Sequence, residues 1–133
     1  MIVNNEFFID KIKNVVFIGE IPILNELISI NKKIGLKSLI VTSPHQAEII
    51  NVDLDFFDLK INVFNKLDND FQKFIKNNIN IDETLFLSLG SRWIFNKKLI
   101  DFFNLNLVNY HLARLPLDAG GGQFSWKIMR EDR

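Results

Sequence analysis

Short apolar runs alternate along this chain with stretches in which apolar residues recur at helical spacing. "NVVFIG" (14–19) is β-branched and aromatic, ends in Gly, and predicts a buried strand. In "IPILNELISINKKIG" (21–35), Ile23, Leu24, Leu27, Ile28 and Ile30 or Ile34 fall near helical spacing. Lys32 and Lys33 occupy its last turn and Gly35 its stop, so a helix is predicted. "KSLIVT" (37–42) is a second strand, and "SPHQAEII" (43–50) opens with Ser as N-cap and Pro at the first helical position. "KINVFN" (60–65) predicts a third strand. "DNDFQKFIKNN" (68–78) starts acidic and sets Phe71, Phe74 and Ile75 on one face, as an amphipathic helix does. "TLFLSLG" (84–90) is nearly continuous in apolar character and predicts a fourth, fully buried strand. A short helix over 96–103, a fifth strand over 105–111 and a helix over 122–132 complete the pattern.

Strands and helices in strict alternation, with strands this apolar, predict an α/β fold. The expected architecture is a Rossmann-like, open, mostly parallel sheet with helices on both faces. The 133 residues suit one domain, with no linker, repeat or low-complexity stretch to divide it. Composition sharpens this picture in a few places. Thirteen Phe and 47% hydrophobic residues supply a core. Sixteen Lys+Arg balance sixteen Asp+Glu, so no bulk field draws the chain to nucleic acid or to a membrane surface. The absence of Cys excludes disulfides and thiolate metal sites. "MIVNNEFFIDK" lacks the basic-then-apolar layout of a signal peptide, and no apolar run approaches the ~20 residues that span a bilayer. A soluble cytoplasmic protein is expected.

Ligands of open α/β sheets gather at the carboxyl ends of strands. Gly19-Glu20, Thr42-Ser43, Ser88 to Trp93 and Asn109 to Gly122 stand there. The first turn, "IGEIPIL", lacks GxGxxG and carries no dinucleotide fingerprint. His45 reads as an exposed first-turn residue, and two His without Cys or HExxH predict no metal site. Asn109 and His111 are two apart on a strand and so share one face. An Asn amide can donate to a developing oxyanion and an imidazole can move a proton near neutral pH, as attack of an amine on a carbonyl requires. A turn-capping Asn and a His bonded to loop backbone would explain the same residues without chemistry. Gly120-Gly121-Gly122 is costly in entropy unless the chain approaches something closely or enters a helix sharply. In "SLGSRW" (88–93), small residues let backbone groups reach a planar ligand, while Arg92 or Trp93 could pair or stack; a plain strand–helix turn reads as well. Arg114 in the glycine loop is the best placed arginine for a phosphate or carboxylate.

An apolar strand ending in N-x-H, a Leu-Pro shortly after, and a Gly-rich entry to a Trp-bearing helix together resemble the N10-formyltetrahydrofolate-dependent formyltransferase family. "NYHLARLPLDAGGGQFSWKIMRED" is most similar to the sugar N-formyltransferases, and "LFLSLGSRWIFNKKLID" resembles the family's second signature. The resemblance implies that Asn109 steadies the oxyanion and His111 acts as base or proton shuttle. It places Ser88, Leu89, Gly90, Arg92 and Trp93 at the folate co-substrate, N10-formyltetrahydrofolate. Tyr110, Arg114, Gly120 and Gly121 would meet the acceptor, a nucleotide-linked amino sugar of cell-surface polysaccharide (O-antigen) biosynthesis. A homodimer is left open. The family's third catalytic residue, an Asp, lies further past the His than this chain reaches. Residues 1–133 are therefore expected to form a C-terminally incomplete formyltransferase catalytic domain, weakly active or inactive alone. A non-catalytic folate- or nucleotide-binding remnant, or a methionyl-tRNA or purine-pathway formyltransferase domain, are the alternatives.

Overall fold

A computed structural model describes residues 11–110. Five strands form one sheet: β1 (Asn14–Gly19), β2 (Lys37–Thr42), β3 (Ile61–Val63), β4 (Thr84–Leu89) and β5 (Leu107–Tyr110). Their order is β3-β2-β1-β4-β5, and every neighbouring pair is parallel. Five α-helices connect them: α1 (Leu24–Lys33), α2 (Pro44–Ala47), α3 (Leu54–Phe57), α4 (Asn69–Asn78) and α5 (Lys97–Phe102). A 3-10 turn over Ile81–Glu83 leads into β4. The α/β class read from the hydrophobic pattern is the one observed. The expected helix over 122–132 lies outside the described residues.

Parallel strands covered on both faces are near-continuously apolar, and β1 is buried throughout. Val16 and Ile18 point into one core with Leu39, Val41, Phe71, Ile75, Phe86, Leu99 and Phe103. Val15 and Phe17 point into the other with Ile21, Leu24, Ile28 and Ile40. Helices α4 and α5 thus cover one face, and α1 the opposite one, as strand alternation dictates.

Four local expectations need correction. Helix α1 buries Leu24, Ile28 and Asn31, an i, i+4, i+7 stripe, whereas Ile23, Ile30 and Ile34 are exposed. Asn31 can sit inward because its Nδ2 donates to Ser38 Oγ at 3.0 Å. The segment after β2 is not one helix: α2 ends at Ala47, with the Ile49 and Ile50 amides both donating to the Gln46 carbonyl. A further turn, α3, then starts at Asp53, whose carboxylate accepts from the Phe56 amide at 3.0 Å. Strand β3 is trimmed to Ile61–Val63, its span of pairing with the end of β2. Strand β4 alternates between buried and half-buried residues, because Leu85, Leu87 and Leu89 are only partly covered by the described residues.

Candidate functional site

Strand order reverses around β1: the chain winds outward through β2 and β3, then returns to β1's other side with β4 and β5. In such sheets the crevice for a ligand normally opens at the reversal, between the loops after β1 and β4. Here backbone contact closes it. The Glu20 amide donates to the Leu89 carbonyl at 3.0 Å, and Gly19 lies so close that a Cβ would sit 2.5 Å from the Leu89 oxygen. Gly19 also holds φ at +104°, where an L side chain is strained. Gly90 follows at φ +61°, with Glu20 O 3.1 Å from where its Cβ would be.

The open space lies one strand further along. A cleft of about 450 Å³ is lined by the Gly90–Ser91 and Trp93–Phe95 segments together with Ile100, Leu107, Asn109 and Tyr110. Register decides which residues face it. Ser88 pairs with Asn109 and Phe86 with Leu107, so Asn109 projects on the α4/α5 side of the sheet, just beyond the Phe86 core. Asn109 is exposed, and its carboxamide has no partner among the described residues. The Ser88 hydroxyl beside it is fully buried and likewise has no partner among the described residues.

The turn from α5 into β5 sets that register. Asn104 and Leu105 both take left-handed backbone, at φ +50° and +64°. The turn is pinned by Asn106 N donating to Phe103 O, Asn106 Nδ2 to Ile81 O, and Asn104 Nδ2 to Asp82 Oδ1. On the other wall, Trp93 is anchored by its indole N–H on the Asn65 carbonyl at 3.2 Å and by its amide on Ser91 Oγ. The half-buried indole therefore offers a fixed apolar wall rather than a swinging one.

Of the residues singled out in the sequence, Gly90, Trp93, Asn109 and Tyr110 line this one cleft. Ser88 is sealed beneath it, Leu89 turns its half-buried side chain to the opposite face, and Arg92 is exposed on the loop. His45 is exposed in the first turn of α2. His111, Arg114, Gly120 and Gly121 lie outside the described residues, so the Asn109–His111 pairing does too. Sequence reading passed over Gln46, which is 1% exposed and reaches across to the loop after β4. A Gln in a polar helix start carries no signal of burial. Among the described residues no helix is long and apolar enough to cross a membrane. No group of three His, Asp or Glu side chains among them could hold a metal ion.

The fold and cleft define an open parallel α/β domain with its opening at the carboxyl ends of the last two described strands. No protein-family model matches the chain, and no curated protein matches its sequence. Among solved structures, the fold is similar to that of phosphoribosylglycinamide formyltransferase from Bacillus halodurans, with a TM-score of 0.60 at 14% identity. The match covers 91% of this chain and 66% of that one, so the chain spans 66% of that enzyme's length. The sheet and its covering helices are thus an α/β arrangement of formyltransferase type.

Proposed function

We propose that this chain takes part in transfer of a formyl group from N10-formyltetrahydrofolate to the amine of a nucleotide-linked amino sugar. The observation that carries the reading is the exposed Asn109 carboxamide, without a partner among the described residues, in a cleft it lines together with Gly90, Ser91 and Trp93. The fit is chemically sensible. Trp93 and Phe95 give a planar ring an apolar wall, and the loop backbone at the exposed Gly90 and half-buried Ser91 brings polar groups to its edge.

The co-substrate supplies the activated formyl carbon; the chain's residues handle charge and protons around it. Attack of the amine forms the new N–C bond and drives negative charge onto the formyl oxygen. Asn109 Nδ2–H donates to that oxygen. The neutral His111 imidazole takes the proton shed by the amine and returns it to N10 as the old C–N10 bond breaks. Tyr110, Arg114, Gly120 and Gly121 are assigned to the acceptor.

The sugar acceptor rests on the residues of the "NYHLARLPLDAGGG" stretch. A second reading, with phosphoribosylglycinamide as acceptor, is favoured by the likeness to the enzyme that carries that name. Saturable binding of 5-formyltetrahydrofolate is expected, read as a change in Trp93 fluorescence in a Trp126→Phe background. Asn109→Ala is expected to lower formyl transfer by roughly 10²–10³ with folding unchanged. Released tetrahydrofolate, measured with dTDP- or UDP-linked amino sugars against phosphoribosylglycinamide, identifies the acceptor. A chain that binds no reduced folate would refute the reading.

A further inference from the structure

We infer that Gln46 is a positioning residue: from a helix on the far side of the sheet's midline it fixes the Gly90–Trp93 loop and so shapes the cleft wall.

The side chain is 1% exposed, in the short turn that follows β2. Its Nε2 donates to the Gly90 carbonyl at 2.7 Å, across 44 residues of sequence. Its Oε1 accepts from Ser43 Oγ at 3.2 Å, and that same hydroxyl accepts from the Gln46 amide. The Gly90 carbonyl, which can only accept, decides the orientation of the carboxamide, and the Ser43 hydroxyl, which can donate, fits the other end. A hydroxyl donating to Oε1 leaves the NH₂ end facing Gly90, so the donor meets an acceptor rather than another donor. Ser43 is itself buried, so the Ser43–Gln46 half of the relay is out of water, while its Gly90 end lies at the surface.

Among the described residues the loop has few other fixings at this point. Gly90 sits in left-handed backbone, and a glycine linkage explores many conformations unless something holds it. On one side, Glu20 N holds Leu89 O at 3.0 Å; on the other, Ser91 Oγ and Asn65 O hold Trp93. Gln46 supplies the tie between these two, on the residue whose conformation is softest. Without that donor the part-buried hydrogen bond to the Gly90 carbonyl is lost, and the left-handed glycine is free to move to another partner. Because Gly90, Ser91 and Trp93 all line the cleft, that movement would alter the shape presented to a ligand. The ligand used below rests on the formyl-transfer reading, whereas the locking of the loop does not.

The test compares Gln46→Met, which keeps the volume and removes both polar ends, with Ile75→Val, a core truncation in α4. Amide hydrogen exchange is followed in the ligand-free protein. Gln46→Met is expected to speed exchange at residues 89–93 roughly tenfold while β1 stays protected, and Ile75→Val to leave 89–93 unchanged. The dissociation constant for 5-formyltetrahydrofolate is expected to rise by a similar factor in Gln46→Met only. If Gln46→Met does not fold, Gln46→Glu replaces it, since the carboxylate keeps an acceptor for Ser43 and loses the donor to Gly90. In the unaltered protein, slow exchange of the Gln46 side-chain amide protons is expected. Unchanged protection at 89–93, acceleration spread evenly over β1 and β4, or side-chain protons exchanging as fast as an exposed amide would each overturn the assignment. Failure of the unaltered protein to bind reduced folate refutes the functional reading, while the exchange data still decide the role of Gln46.

Discussion

Gly19 and Gly90 sit within hydrogen-bond reach of the same backbone junction, yet they tolerate change differently. At Gly19 an added Cβ would lie 2.5 Å from Leu89 O and 2.8 Å from Ser91 N, all of it backbone that cannot swing aside. Its φ of +104° is also beyond the left-handed well that Asn or Asp occupies. Gly19→Ala is therefore expected to cost upward of ~2 kcal/mol. Gly90→Ala faces one contact at 3.1 Å and a φ near the left-handed well, so about 1 kcal/mol is expected. Urea midpoints of the two variants measure the difference; equal midpoints would show that the β1 and β4 loops part easily. The strand-ending role of both glycines could be read from the sequence. Their mutual approach could not, because nothing in a glycine's neighbours in sequence says which distant carbonyl will pass beside it.

Helix α5 shows how little an element of this size holds on its own. Six residues are too few for a stable isolated helix, so capping and burial of one face decide whether it forms. Asn96 Oδ1 accepts from the Leu99 amide at 3.0 Å, and Leu99 and Phe103 enter the core beside Phe86 and Phe71. Asn96→Ala is expected to cost ~1 kcal/mol, with the loss read from the urea midpoint. The ion pair on the same helix, Lys97 to Asp101 at 2.7 Å, has side chains 87% and 61% exposed and contributes little. Elements with a wide apolar stripe were the legible ones: α4 was expected over 68–78 and runs over Asn69–Asn78, with Phe71 and Ile75 fully buried. Helix α1 was legible in position but not in face, since five apolar residues at mixed spacing leave the buried stripe undecided until Asn31 finds Ser38. Helix α3 escaped because four residues give no period to detect; only its Asp53 cap marked it.

Across the whole molecule, the two cores are two sides of the same strands. Residues 15 to 18 alternate between them, so neither can lose its packing without disturbing the other. Denaturant unfolding followed by Trp93 fluorescence, in a Trp126→Phe background, and by far-UV circular dichroism is expected to give coincident transitions. Separate midpoints would mean that the α4/α5 face melts by itself. Fold class was legible at this scale because doubly covered parallel strands are near-continuously apolar. The winding order was not, since hydrophobic patterning says that a strand is buried without saying beside which neighbour. The candidate site suffered from the same gap: Asn109 could be placed at a strand end, but the cleft depends on Gly19 closing the crevice between β1 and β4 and leaving the next one open.

The left-handed pair Asn104–Leu105 gives the chain a parity. Side chains in β5 alternate with period two, so the number of residues between Phe103 and Leu107 determines whether position 109 looks into the cleft or away from it. One residue added there would turn the Asn109 carboxamide to the other face and bring its neighbour into its place; a second would turn it back, two residues out of line with Ser88. The site is thus protected less by what occupies the turn than by an odd-or-even count. An exchange of residues in this stretch leaves that count intact, whereas lengthening it by one does not.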